Sequence, residues 1–160
     1  MQLTIGSSAS FLNAETRRTQ SFAEKQHDQG PTPSMHENEI SEKIIGAAIE
    51  VHRILGPGLL ESVYEEALCH EFTLRGIRFE RQKNVPIPYK GAKLSTDLRL
   101  DLLVEDKVIV DVKAKEKVPP IDHAKTLTYL RLSGLHLGLN INFHVRVLKD
   151  GIERIVNDLR

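Results

Sequence analysis

Asp101, Asp111 and Lys113 are the residues whose types and spacing could do chemistry in this chain. They lie in Leu98-Arg-Leu-Asp-Leu-Leu-Val-Glu-Asp-Lys-Val-Ile-Val-Asp-Val-Lys113, two apolar runs around a short polar turn. Acidic side chains inside hydrophobic strands are costly unless something pairs with them. Strand side chains alternate, so Lys113, two residues after Asp111, shares its face. Two carboxylates and an ammonium on one face compose a divalent-metal site suited to phosphodiester chemistry. The same spacing also fits a solvated strand face carrying an ordinary ion pair, worth about 0–1 kcal/mol. Asp-x-Lys is common by chance, and only a third element can decide between the two.

The hairpin register sets a condition. If Glu105-Asp106-Lys107 is a three-residue loop, Val104 faces Val108 and Asp101 faces Asp111. Arg99, Asp101, Leu103, Ile109, Asp111 and Lys113 then share one face. Leu100, Leu102 and Val104 join Val108, Val110 and Val112 on a wholly aliphatic one, and the acidic pair meets at the solvent or cleft side. A two-residue loop sends the two carboxylates to opposite faces.

Bulk properties bound the elements that position these residues. A chain of 160 residues is long enough for one domain with a real core. Lys plus Arg is 22 and Asp plus Glu is 22. That balance counts against strong non-specific nucleic-acid binding but leaves room for a local basic groove. One cysteine, Cys69, excludes an internal disulfide and a Cys-rich zinc site and fits a reducing compartment. No apolar run approaches the ~18 residues of a membrane span. The polar N-terminus lacks a secretory core, and a cytoplasmic location is expected.

Residues 1–38 are rich in Ser, Thr, Gln, Asn and charge, end in Gly30-Pro-Thr-Pro-Ser34, and read as a flexible tail. Arg17-Arg18 fits a transit peptide; Glu15 and Glu24 do not. The folded domain is expected over 39–160. Ile40, Ile44, Ile45, Ala48, Ile49 and His52 recur at helical spacing, with Ser41 as cap. Gly56-Pro57-Gly58 separates this helix from a second over 59–74. Strands are expected at 77–82, 85–89, 97–104 and 108–113, a third helix at 121–132, and strands at 136–142 and 145–148. The order α-α-β-β-β-β-α-β-β implies an α+β (mixed α/β) fold.

The third element is Gly58-Leu-Leu-Glu61-Ser-Val-Tyr64, at the start of the second helix. Together with Gly56-Pro-Gly-Leu-Leu, Arg99-Leu-Asp-Leu-Leu-Val104, Val110-Asp-Val-Lys-Ala114, Tyr129-Leu-Arg-Leu-Ser-Gly134 and Leu137-Gly-Leu-Asn-Ile-Asn-Phe143, it makes residues 40–156 resemble the GxxExxY protein family, part of the PD-(D/E)XK nuclease-like superfamily. The resemblance implies a PD-(D/E)XK-type core: a helix, a three-strand meander, a helix and further strands of a central mixed sheet. It implies a metal-dependent nuclease acting on nucleic acid, DNA in first place. By position, Asp101 matches the first metal-binding Asp, Asp111 and Lys113 the (D/E)-x-K element, and Glu61 the helical acid that many members add. Asp101 and Asp111 would hold Mg²⁺ or Mn²⁺ with the Val112 carbonyl and waters. Lys113 would orient or help deprotonate the attacking water and stabilise phosphate charge; Glu61 would position the metal.

The chain departs from the family pattern at two places. Asp111 stands where Glu is common, and Lys125-x-x-x-Tyr129 stands where many members have Gln-x-x-x-Tyr. Lys125 and Tyr129 share a helix face. Lys125 is either a phosphate contact or a surface lysine beside a packed tyrosine, and it lacks the amide's acceptor. Lys115, with Lys113 and Lys117, either lines a phosphate groove or belongs to a solvated strand end. Gly56-Pro57-Gly58 lacks the Gly-Lys-Ser/Thr of a phosphate loop, and His123 alone among the histidines could reach the site. Cys69 and His70 point apart on a helix and make no dyad. A non-catalytic nucleic-acid or protein-interaction module of the same fold is the alternative function.

Overall fold

The computed structural model describes residues 34–160; most of the tail expected at 1–38 lies outside the described residues. Helix α1, Glu37–Leu55, starts two residues before the expected domain boundary. His36 caps it, its Nδ1 accepting from the Asn38 N–H at 3.2 Å, and Glu37 and Glu39 suit the positive end of the helix dipole. Ser41 is not the cap: it lies inside the helix, its hydroxyl donating back to the Asn38 carbonyl. Ile40, Ile44, Ala47, Ala48 and Val51 form the buried stripe. Gly56 ends the helix at φ 70°, where a side chain would be strained. Helix α2 spans Glu61–Leu74 and buries Tyr64, Leu68 and Phe72.

Seven strands follow. β1 (Phe79–Val85), β4 (Leu98–Val104), β5 (Val108–Lys113), β6 (Leu137–Asn142) and β7 (Ile152–Val156) form one mixed sheet in the order β1-β4-β5-β6-β7. Only β5 and β6 are parallel, joined through helix α3, Pro120–Ser133. β2 (Pro88–Tyr89) and β3 (Ala92–Lys93) form a separate hairpin between β1 and β4. The expected single strand at 85–89 is divided because Pro86 and Pro88 cannot donate to a continuing ladder. The expected strand at 145–148 is absent. Val145 and Leu148 pack into the core from a loop instead, Leu148 buried at the start of a 3₁₀ turn (Leu148–Gly151), with the Val145 carbonyl bonded to His52 Nε2, while Val147 stays exposed. The true last strand, β7, buries only Ile155, and its apolar residues Ile152, Ile155 and Val156 do not alternate.

Two cores flank the sheet. Leu102, Val104, Val108, Val110 and Val112 pack with α1 and α2, while Leu103 and Ile109 pack with Leu130 of α3. Leu100 belongs to the second cluster rather than to the expected aliphatic face, so the simple alternation fails at Asp101. Pairing fails there too. The β4–β5 ladder has the expected register, Val104 opposite Val108 and Leu102 opposite Val110, and stops short of Asp101 and Asp111. In the β1–β4 ladder, Gln82 opposite Asp101 drops out of the pairing and sits at φ 53°.

Two glycines allow close approaches that bear on the site. A Cβ on Gly138 would lie 2.7 Å from the Thr126 methyl, so this glycine lets α3 rest on β6. A Cβ on Gly151 would lie 2.1 Å from the Asn142 carbonyl oxygen. Methyls can yield by small rotations; a backbone oxygen in a sheet cannot. Gly138→Ala should therefore cost about 1–2 kcal/mol and Gly151→Ala about 3 kcal/mol or more. Urea denaturation of both variants checks the order; equal midpoints would contradict it.

Candidate active site

Where the ladder stops, the Asp101 carboxylate takes the place of a backbone partner: its Oδ2 accepts from the Val112 N–H at 3.2 Å. The N–H and C=O of one strand residue leave on the same side, so the Val112 carbonyl also faces this gap. The Asp101 and Asp111 carboxyls lie within reach of a hydrogen bond, which a proton on one of them would supply. Burial, then the neighbouring Asp111, pushes Asp101 up to about 8. Burial also works against an ionised Asp111, but the hydrogen bonds from Asp101 and Lys113 outweigh it and hold Asp111 below the ordinary carboxylate range. The result is one neutral and one charged carboxyl at neutral pH, the usual outcome for two acids sharing a desolvated space.

The Lys113 ammonium lies 2.9 Å from Asp111 Oδ2 and 3.5 Å from Asp122 Oδ1, with its side chain 5% exposed and that of Asp111 12% exposed. A solvated strand face is thereby excluded. Burial would lower the Lys113 pKa, yet Asp111 and Asp122 raise it, so it stays a cation. Asp122 comes from the first turn of α3, set by Pro120 at the helix start. Its Oδ2 also receives Lys115 Nζ at 3.0 Å. The Lys115 ammonium is thus engaged in an ion pair, while its main chain is clamped by Asn142, which accepts from the Lys115 N–H and donates to the Lys115 carbonyl. Asn140, one alternation earlier on β6, accepts from Thr126 Oγ1 at 2.7 Å and so ties the first turns of α3 to the sheet.

Glu61 opens α2 on the opposite side of the sheet and feels Lys113 and Asp111 electrostatically; burial lifts its pKa above the ordinary value. It lies next to this centre, but no three acidic, His or Cys side chains converge to hold a metal among the described residues. The loop before Glu61 is held by Tyr64, whose hydroxyl donates to the Gly56 carbonyl at 2.5 Å and accepts from the Leu59 N–H at 3.1 Å. The Tyr64 ring is fully buried and stacks on Phe143, centroids 4.6 Å apart. One turn later, Glu65 is buried against Arg81 and Gln82 and adds its charge near Asp101.

Lys125 is exposed, lies 5.4 Å from the Tyr129 ring centroid, and acts on Asp111 through its charge. This is the surface lysine beside a half-buried tyrosine, with its charge felt by the acidic pair. His123 is drawn away, its Nδ1 2.6 Å from Glu153 Oε1 on β7. Burial pushes the Cys69 thiol up to about 11, and His70 is exposed beside it, so neither is a nucleophile pair.

Asp122, Asn140, Asn142 and Glu65 are not among the residues expected from spacing. Leu137-Gly-Leu-Asn-Ile-Asn142 carries the missed signal: polar side chains inside an apolar strand are as costly there as at Asp101 and Asp111. Asp122 has none beyond an acid at a helix start.

The donor set fits a hard divalent cation. Two carboxylates converge on one gap, and they share a proton because both cannot be charged there. A small cation that keeps several waters needs few protein ligands. Without the cation, the folded chain holds the Asp101 proton to about pH 8, whereas an unfolded Asp releases it near 3.8. Between these values the folded state binds the extra proton, so stability falls as pH rises through the window. Asp101→Asn is neutral throughout and lacks this slope. In chelator, melting followed from pH 5 to 8.5 should show the wild type losing about 8–16 °C more than Asp101→Asn. Parallel curves would contradict the shared proton.

A sequence model of the PD-(D/E)XK nuclease superfamily matches residues 38–155, nearly the whole described fold. No curated protein and no solved structure is matched by the chain. The mixed sheet with a three-strand meander, a crossover helix and a parallel fourth strand is the architecture that the match implies. With its acidic pair and lysine on the central strands of that sheet, the chain belongs to the PD-(D/E)XK nuclease superfamily.

Proposed function

We propose that this protein is a metal-dependent nuclease that hydrolyses phosphodiester bonds of nucleic acid, with DNA as the substrate and Mg²⁺ or Mn²⁺ as the cofactor. The observation that carries the proposal is the buried Asp101–Asp111 pair with the Lys113 ammonium 2.9 Å from Asp111. Asp101, Asp111 and the Val112 carbonyl are the proposed cation ligands, with Glu61 next to them. When bound, such a cation polarises phosphoryl oxygens.

Lys113 is held protonated by its two aspartates, which suits a hydrogen-bond donor to the phosphate better than a base. Glu61, more exposed and lifted above the ordinary carboxylate range, is better placed to take a proton from the attacking water. Lys125 would meet a phosphate flanking the scissile one, and Tyr129 would hold that lysine in place. Lys115 would add positive charge at the mouth of the site only after release from Asp122. The Gly58-x-x-Glu61-x-x-Tyr64 spacing supports membership of the GxxExxY group within the superfamily: Tyr64 fixes the loop that presents Glu61.

A specific observation favours the alternative of a non-catalytic module. Both buried ammonium contacts of Lys113, and that of Lys115, are already satisfied by Asp111 and Asp122.

The two functions separate in a cleavage assay on single- and double-stranded DNA and RNA with Mg²⁺ or Mn²⁺. Asp111→Ala and Lys113→Met should each lower the rate by about 10²–10⁴-fold, and chelator should abolish it. Melting curves of both variants check that they fold. Equal cleavage by wild type and variants would contradict the catalytic assignment.

A further inference from the structure

The β2–β3 hairpin stands outside the main sheet and is absent from the site as described. Its turn, Lys90-Gly91, has φ of 47° and 80°, the left-handed pair that two-residue hairpins of type I′ use. A lysine in that region is costly, and Gly or Asn is the ordinary choice. Leu94 N–H to the Ile87 carbonyl, 3.0 Å, extends the hairpin and fixes its shape. At its tip Tyr89 is 58% exposed, with Lys90 Nζ 5.5 Å from the ring centroid. The other two tyrosines of the chain are packed: Tyr64 fully, Tyr129 half.

Between this hairpin and the end of α3 runs an open groove of about 610 Å³, with Val85, Pro86, Pro88, Ala92 and Leu132 as apolar walls and Lys93 on its rim. The charge of the hairpin segment is one-sided. Residues 86–100 carry Lys90, Lys93 and Arg99 against Asp97 alone, in a chain whose totals balance at 22 and 22. Val85 of the groove pairs with Leu98 of β4, three residues before Asp101, about 10 Å along the strand.

We propose that the hairpin and the end of α3 form a binding groove for a single-stranded segment of nucleic acid, with Lys93 of the groove meeting a phosphate and Tyr89 and Lys90, at the hairpin tip beside it, stacking on a base and meeting the next phosphate. The proposal rests on the nuclease reading of the neighbouring centre and adds where the strand lies. An exposed aromatic ring with cations along a groove is how single strands are held without sequence preference. The apolar walls accommodate an unstacked base. A duplex keeps its bases stacked and offers this surface only phosphates. The local positive excess, absent from the chain as a whole, favours a polyanion over an apolar peptide.

Anisotropy of labelled oligothymidine and of a duplex, in chelator to prevent cleavage, tests the proposal on the full chain. Tyr89→Ala should weaken oligothymidine binding by about 5- to 100-fold and change duplex binding less than twofold. Tyr89→Phe should restore it. Lys90→Ala with Lys93→Ala should reduce the salt dependence of single-strand binding by about 1.4 in the log–log slope. All of these residues are exposed, so folding should be unaffected and circular dichroism checks it. Wild-type affinity in Tyr89→Ala and in the double lysine variant overturns the groove, even if the protein cleaves DNA. Equal losses for single strand and duplex in Tyr89→Ala, or protein capture without oligonucleotide binding, overturn it as well. Selective loss in a protein that cleaves nothing supports the groove and removes the nuclease reading alone.

Discussion

Two carboxyl groups that cannot both be charged occupy the middle of the sheet, and the surrounding architecture is arranged around that constraint. Asp101 and Asp111 sit where the β4–β5 ladder would otherwise continue. Asp101 replaces the missing backbone partner of Val112, and Lys113 supplies the counter-charge to Asp111. Removing one member of such a buried set costs far more than a surface pair does, because the remaining charge is left without compensation. Among the described residues no buried side-chain polar atom lacks a partner. The site is therefore a satisfied network, and its remaining tension is the proton that Asp101 holds.

The rest of the fold sets the positions of those groups. β5 is buried on both faces because α1 and α2 cover one side and α3 the other. α3 can deliver Asp122 to Lys113 only because Gly138 has no side chain and Thr126 bonds to Asn140. On the other side, the Tyr64 hydroxyl and the Phe143 stack hold the loop before Glu61. Distant packing residues in this way determine where Asp111 and Asp122 meet one ammonium, with Glu61 beside them.

Much of this was legible in the residues. The hairpin at 102–110 had the expected register because the apolar runs on either side of a three-residue turn leave few options. α1, α2 and α3 followed from apolar spacing within a few residues at each end. Three features were not legible for physical reasons. The break in alternation at Asp101 is set by a side chain accepting a backbone hydrogen bond, which no periodicity encodes. Val145 and Leu148 are apolar because a loop packs them into the core, and β7 lacks alternation because, at the sheet edge, it buries only Ile155. Asp122 enters the site through the tertiary placement of α3, so its role depends on a contact nine residues from Lys113 in sequence but 3.5 Å away in space.

The gap between Asp101 and Asp111 is the proposed place of a divalent cation. Calorimetric titration of Mn²⁺ into the wild type, Asp101→Asn and Asp111→Asn tests it without reference to cleavage. The account predicts one site in the wild type and at least about tenfold weaker binding in each variant. Equal affinity in all three proteins would contradict it.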